Sequence, residues 1–516
     1  MPWTKCALFG GVALLLAPAA QADTLREALL QAYTTSPVLA QARAQLRGVD
    51  EGVPIAKANS RLQVSGTLGL TQSADGITSY QHGARTLTGG VNLSYPLFQG
   101  GRVKNAINAA EARVIAGRAD LRTTEGNFFT DAVTAYMDVI RDQSVVELNA
   151  GNVRVLETNL RASRDRFQVG DLTRTDVAQS EARLSIARSQ LASAQGNLVR
   201  SRETYRRVIG VWPTNLQPPP ELPKLPATPD EAVEIALGNS PSLASVAANT
   251  KAADYDINSA RALRMPTLSA VGGPSYSDYL GTRAQASGLP SSQNYLFSQT
   301  VQQSSAGLSL TVPLYQGGGV SAKVRQAQAN QNAVVEQGID IERQVIANAR
   351  AAYAIFIAAG QAIGAYEQAA SANKLALEGT RAENSAGSRT VIEVLNAEQE
   401  YLNAQVQLVT AEHDQYVAGF SLLNAMGVAE ASNLNLEGGA LYDPVANYKR
   451  VRNRFGDWSD NPRYQSVSTR TTGPTPRDED TQPLPPDPLL GNDTPGPQLP
   501  GSLVPSPSNR DKPRDK

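Results

Sequence analysis

The chain of 516 residues is poor in the groups that do chemistry. Its one cysteine, Cys6, lies inside an N-terminal apolar run. Once that run is removed no thiol remains, which excludes disulfides, thiolate catalysis and cysteine metal sites. Only two histidines occur, His82 and His413, and neither has a second histidine nearby. His82 falls in a polar loop, and His413, between Glu412 and Asp414, reads as a solvated helix position. Gly317-Gly318-Gly319 lacks the Gly-Lys-Ser/Thr that a phosphate loop requires. No enzyme activity, cofactor or metal is therefore expected. Formal net charge is -1, so no basic field attracts nucleic acid. Beyond the N-terminus no run of 18 apolar residues is read, and no transmembrane helix is expected.

The N-terminus has Lys5, an apolar run from Ala7 to Leu16, and Ala20-Gln21-Ala22 before Asp23. This is the pattern of a secretory signal peptide over 1–22. The apolar run is too short for an anchor, which needs roughly 20 residues. An exported chain can still span a membrane as a β-barrel.

What the sequence does have is a repeat. Tyr95-Pro96-Leu97-Phe98-Gln99-Gly100-Gly101 returns 217 residues later as Val312-Pro313-Leu314-Tyr315-Gln316-Gly317-Gly318. The same offset carries Val169-Gly170 onto Ala386-Gly387, Asp176 onto Glu393, and Ile209-Gly210-Val211 onto Met426-Gly427-Val428. Such self-similarity marks a tandem duplication. The predicted first repeat, 23–228, holds a helix, a β-hairpin over 61–98, a helical hairpin over 100–210 and a linker. The predicted second repeat, 229–440, holds a helix, a β-hairpin over 265–315 and a helical hairpin over 317–428.

The strands alternate. Leu62, Val64, Gly66, Leu68 and Leu70 face one way, and Gln63, Ser65, Thr67, Gly69 and Thr71 the other. Leu87, Val91, Leu93, Tyr95 and Leu97 oppose Thr86, Thr88, Asn92 and Ser94. In the fourth strand Leu308, Leu310, Val312 and Leu314 oppose Ser309 and Thr311. The third, over 267–276, is weaker and rich in Gly. Uncharged alternation over about ten residues suits a wall between lipid and a wet lumen. Tyr95, Phe98 and Tyr315 sit at strand ends, where aromatic girdles lie. Both hairpin loops are expected at the cell surface.

Four strands cannot close a barrel, and no edge survives unpaired in lipid. Two chains give eight strands, whose interior side chains fill; three give twelve and leave a channel. Below the strands, 101–169 and 318–386 read as helices of about 100 Å at 1.5 Å per residue. Gly117, Gly126 and Gly151 weaken the first locally. The returning helices carry heptads: Val177, Leu184, Leu191, Leu198 and Tyr205, then Ala397, Ala404, Ala411, Ala418 and Ala425. Seven-residue repeats imply supercoiled packing. The fold class is thus an α+β membrane protein: a shared trimeric barrel of twelve strands, four per chain, on a long α-helical coiled-coil tunnel. A secreted coiled-coil adhesin explains the heptads and export but not the strands.

Residues 441–516 read as a Pro-rich, largely disordered tail, with Pro483-Leu484-Pro485-Pro486 and Pro495-Gly496-Pro497. Its first part, with Tyr448-Lys449-Arg450-Val451-Arg452, is able to dock on the body, and its Lys/Arg cluster reads as a solvated face.

These motifs, over residues 23–440, resemble the TolC family of outer-membrane efflux and secretion channels. The resemblance rests on the two strand exits (Pro96, Gly100, Gly101 and Pro313, Gly317, Gly318) and the two turns at Gly170 and Gly387. It implies a homotrimer in outer-membrane lipid, a periplasmic helical tunnel, and cargo delivered by an inner-membrane ABC or RND transporter through a periplasmic adaptor protein. It further implies that the turns at Gly170 and Gly387 form the periplasmic entrance. Asp176 and Arg389 match an entrance latch, and Glu393 an entrance charge ring. A family tyrosine of the latch falls at Asn384, and a second ring acid at Asn396. A weaker latch and weaker cation selectivity are expected.

Overall fold

The computed structural model describes residues 24–73, 84–431 and 441–472, save 464, 467 and 469. The expected signal peptide, the hairpin tip with His82 and the Pro-rich stretches beyond 472 lie outside the described residues.

The chain opens with α1 (Leu25–Thr35) and α2 (Pro37–Ala58). Thr24 and Glu27 form a capping box at the first. Ser36 ends α1 and caps α2 through its hydroxyl, 3.4 Å from the Leu39 N–H, while Pro37 needs no helical donor at the first position. Then come β1 (Gln63–Gln72), β2 (Arg85–Phe98), α3 (Arg102–Gln168) and α4 (Arg174–Ile209). The order repeats with α5 (Pro229–Asn239), α6 (Pro241–Arg261), β3 (Thr267–Asp278), a short α7 (Arg283–Ala286), β4 (Thr300–Thr311), α8 (Gly319–Ser385) and α9 (Val391–Ala425). Ser240-Pro241 repeats the Ser36-Pro37 junction, with the Ser240 hydroxyl 3.4 Å from the Leu243 N–H. Last is α10 (Ala446–Val451).

The strands form one antiparallel sheet in the order β1-β2-β3-β4. Its register aligns the apolar face: Val64 opposes Leu93, Leu70 opposes Leu87, and Leu268 opposes Leu310. Leu68, Leu70, Leu308 and Leu310 stand exposed on it. The outer edges of β1 and β4 have no partner among the described residues. β2 runs through Pro96 to Phe98 because β3 pairs it that far, with a register shift between Pro96 and Phe98. β4 stops at Thr311, short of the expected 315. Among the described residues nothing pairs Val312 to Tyr315, and Pro313 has no N–H to offer.

Long helices pair as predicted, α3 with α4 and α8 with α9. Each long member has 67 residues, roughly 100 Å. The main core lies midway along α3, where Phe129 and Tyr136 pack with Leu39, Tyr205, Ile209 and Leu422. A second core below joins Val153, Leu156 and Leu160 to Leu184, Leu191 and Leu395. Leu184, Leu191, Leu198 and Tyr205 of the first heptad seam are buried, as are Ala404, Ala411 and Ala418 of the second.

One expectation needs correction. His413 is not solvated: it is 6% exposed, because α9 turns it against α3. Helix α8 contains an apolar 18-residue window with mean hydropathy 1.2, only 6% buried in the single chain. That window escapes a search for continuous apolar runs because polar residues interrupt it.

Candidate channel entrance and barrel rim

The strand exits need two consecutive left-handed residues. Gly100 and Gly101 have φ of 60° and 81°, and Gly317 and Gly318 have 60° and 78°. Glycine adopts this conformation without a Cβ clash. Around Gly100 a Cβ would also strike Met265 at 2.3 Å, whereas around Gly317 there is open space. The first exit is seated on the second repeat; the second bonds the Leu263 carbonyl through Gln316 at 3.4 Å but leaves open space at Gly317 and Gly318.

The hairpin tips share one geometry. The Gly170 N–H donates to the Phe167 carbonyl (3.0 Å) and the Asp171 N–H to the Arg166 carbonyl (2.9 Å). At the other tip Gly387 donates to Asn384 (3.0 Å) and Ser388 to Glu383 (3.0 Å). This is the helix-ending motif that places glycine at positive φ, here 82° and 80°.

Asp176 and Glu393 start the returning helices. The Asp176 carboxylate accepts from the Thr173 N–H (3.0 Å) and hydroxyl (2.7 Å). These bonds, the hydroxyl's first, hold its pKa below the usual carboxylate range. Glu393 accepts from the Thr390 N–H and hydroxyl, each at 2.8 Å. The backbone N–H of Thr390, then the Arg389 guanidinium, bring its pKa down to about 2. Arg389 donates to Glu383 (2.8 Å) and Glu393 (2.7 Å), and these bonds raise its pKa, Glu383 foremost. Within one chain no ion pair joins Arg389 to Asp176 among the described residues. Asn384 donates to the Arg389 carbonyl at 2.7 Å and braces the tip. At the first tip Arg166 bonds Asp171 (2.7 Å), so the cation has changed sides of the turn.

Above each tip an ion pair crosses the hairpin: Arg164–Glu181 (2.6 Å) and, 217 residues on, Arg381–Glu398 (2.9 Å). Glu398 also accepts from Asn159 of α3 at 3.0 and 3.1 Å, tying the two repeats together. Higher up, His413 reaches Asp138 at 3.1 Å, and Arg141 bridges Asp138 (2.9 Å) and Asp142 (2.8 Å). Burial pushes the Asp138 carboxyl up, but the close approach of the His413 ring and the Arg141 charge outweigh it, and its pKa ends below the usual range. The Thr-x-x-Asp and Thr-x-x-Glu capping patterns and the repeated Arg–Glu pair were legible in sequence. The Asp138–His413 contact was not, since the two residues are distant in the chain and have no counterpart at the repeat offset.

The two halves differ in cover. Twenty-three of the 67 residues of α3 are buried, but only Val324, Val345, Ala349 and Leu377 of the 67 in α8. The single chain thus leaves a bare helix, a raw sheet edge at each end of the sheet, and open space at Gly317. The sequence profile of the outer membrane efflux protein family matches residues 28–211 and 232–428. The chain belongs to that family. It is 33% identical to the outer membrane efflux protein BepC of Brucella suis over 445 residues, covering 86% of this chain and 93% of BepC. It is 24% identical to the outer membrane protein TolC of Escherichia coli over 477 residues, covering 88% and 94%. The crystal structure of the Campylobacter jejuni CmeC outer membrane channel superposes with a TM-score of 0.68 at 16% identity, over 83% of this chain and 89% of CmeC. The fold of this efflux-family protein is the trimeric barrel on a periplasmic helical tunnel, and its place is the outer membrane of a Gram-negative bacterium. The missing cover of α8, β1 and β4 is supplied by further copies of the chain.

Proposed function

We propose that this channel is the passive outer-membrane stage of an export machine, used for efflux of small compounds, for type I protein secretion, or for both. An inner-membrane ABC or RND transporter supplies the energy, and a periplasmic adaptor protein joins it to the hairpin tips. The mature chain begins after residue 22, its two repeats meet near residue 228, and the chain contributes no chemistry of its own. The observation that carries this reading is the bare α8 beside two unpaired sheet edges, which only a ring of copies completes. Chemical cross-linking of the native membrane, followed by identification of the inner-membrane transporter recovered with the trimer, tests it. Recovery of no transporter or adaptor, with export of drugs and polypeptides unchanged in a deletion strain, overturns it.

We further propose that the tips form the latch. Arg389 has a two-carboxylate rest in its own chain, at Glu383 and Glu393. A pair with Asp176 then forms only when a neighbouring copy brings that carboxylate up. Exposed pairs of this kind are individually weak, so a docking adaptor can release the set without unfolding a helix. Because Arg389 partly neutralises Glu393, and Asn396 replaces a second acid, the ring selects cations weakly. Arg389→Glu raises single-channel conductance in planar bilayers; unchanged conductance removes Arg389 from the latch.

A further inference from the structure

Beyond the second repeat the chain climbs back along α2 to the rim of the barrel. The Asn447 amide donates to the fully buried Asp50 carboxylate at 2.7 Å, and the Tyr442 N–H to the Tyr33 hydroxyl at 3.2 Å. Arg61 donates to the Arg454 carbonyl at 2.7 Å and lies over the Phe455 ring at 5.5 Å. Arg61 stands two residues before β1, whose Gln63 opposes Ser94. Continuing that register puts Arg61 level with Pro96, between the rim aromatics Tyr95 and Phe98. The strap therefore ends at the height of the inner aromatic girdle.

At that height it leaves two aromatic rings uncovered. Phe455 is 78% exposed and Trp458 fully so. Beside them stand Lys449, Arg450, Arg452 and Arg454. Arg450 and Arg454 converge on the Asn461 amide oxygen, at 3.4 and 3.3 Å. Arg452 lies over the Tyr448 ring. None of the four has a carboxylate within ion-pair distance among the described residues. From Lys449 to Trp458 the only acid is Asp457.

We propose that this strap is an interfacial anchor: Phe455 and Trp458 enter the headgroup layer of the periplasm-facing leaflet, and the unpaired cations hold anionic phospholipid there. Aromatic rings with one wet and one apolar side collect at membrane–water interfaces. Clustered Lys and Arg next to them bind anionic headgroups. A second copy of the chain is the rival occupant, and its charge argues against it. The exit that a neighbour would bring to this place, residues 312–335, carries Lys323 and Arg325 and no acid. It can cover the rings but cannot satisfy the cations.

Tryptophan fluorescence tests the anchor, because the mature chain has only Trp212 and Trp458. The trimer is reconstituted into vesicles of phosphatidylethanolamine and phosphatidylglycerol brominated near the headgroup, and the signal of W458F is subtracted. The bromolipid quenches most of the Trp458 emission. Each cation removed, as in R452Q and R454Q, lowers the preference for phosphatidylglycerol over phosphatidylethanolamine about fivefold. Trp458 emission that bromolipid leaves untouched overturns the proposal, whether the ring is in water or blue-shifted against a neighbouring copy. Conductance recorded on the same vesicles separates the readings: a conducting trimer with unquenched Trp458 sinks the anchor and spares the channel.

Discussion

Helices α3 and α8 have the same length and the same place in their repeats, yet one is a core element and the other a surface. α3 packs on α1, α2, α4, α6 and α9 of its own chain; α8 has α5, α6 and α9. Under the repeat offset, the contacts of α3 with α6 and α9 become contacts of α8 with α2 and α4 of the next copy. The same operation applied to the Asp138–His413 contact would set Ile355 against Gly196 of the next copy. Ile355 is 60% exposed, and a Cβ on Gly196 would meet nothing within 4 Å, so a knob and a hole are both vacant. The polar contact of Asp138 with His413 thus has an apolar residue and a glycine, Ile355 and Gly196, at its repeat-offset positions. Duplication supplied the architecture, and later divergence gave alternate joints different chemistry.

Substitutions that treat the two helices alike test this contrast. Phe129→Ala in α3 empties a fully buried site and costs about 3–5 kcal/mol, read as a fall in thermal stability whatever the assembly state. Ile355→Asp in α8 leaves the single chain folded but abolishes the trimer, read by light scattering in detergent and by lost conductance. Gly196→Leu fills the opposing hole and weakens the trimer in the same assay. A trimer indifferent to both places the junction elsewhere. Asp138→Asn acts on the polar joint. Because the folded carboxyl is held below its unfolded value of about 3.9, its stabilisation is full above that pH and is lost as pH falls through the folded value. The wild type therefore loses thermal stability faster than D138N as acid is added below pH ~4. The smallest effect belongs to Glu393→Gln, which removes the carboxylate at the start of α9. It speeds amide hydrogen exchange at the second tip and leaves the first, capped by Asp176, unchanged. The same sign rule makes the wild-type Glu393 cap fail only as pH falls from the ordinary glutamate value toward about 2.

Much of this was readable in one dimension. The repeat gave the pairing of elements, alternation gave the sheet faces, and the double glycines gave the strand exits. The ends of α3 and α8 fall within a residue of the expected turns, because Gly101, Gly170, Gly318 and Gly387 fix them through backbone conformation. The extent of β4 was not readable, since alternation continues past the last residue that has a pairing partner. Nor was the burial of His413, whose polarity is matched by an aspartate far away in sequence. The tip residues were visible as charges, but their partners depend on which side of the turn each cation occupies, and that differs between Arg166 and Arg389. The strap was visible as a basic cluster, while its height against the barrel comes from bonds of Lys57 and Arg61 to its backbone, which no local pattern announces.

The unpaired margins of β1 and β4 bear on how the molecule comes into being. One copy has two such margins, and two copies joined still have two. Only the third removes both at once, so no stage short of closure is relieved of its hydrogen-bonding debt to water. Insertion is then all-or-none: subunits arrive in the bilayer as a finished ring or stay outside it, and the yield of channels rises steeply with the supply of chains.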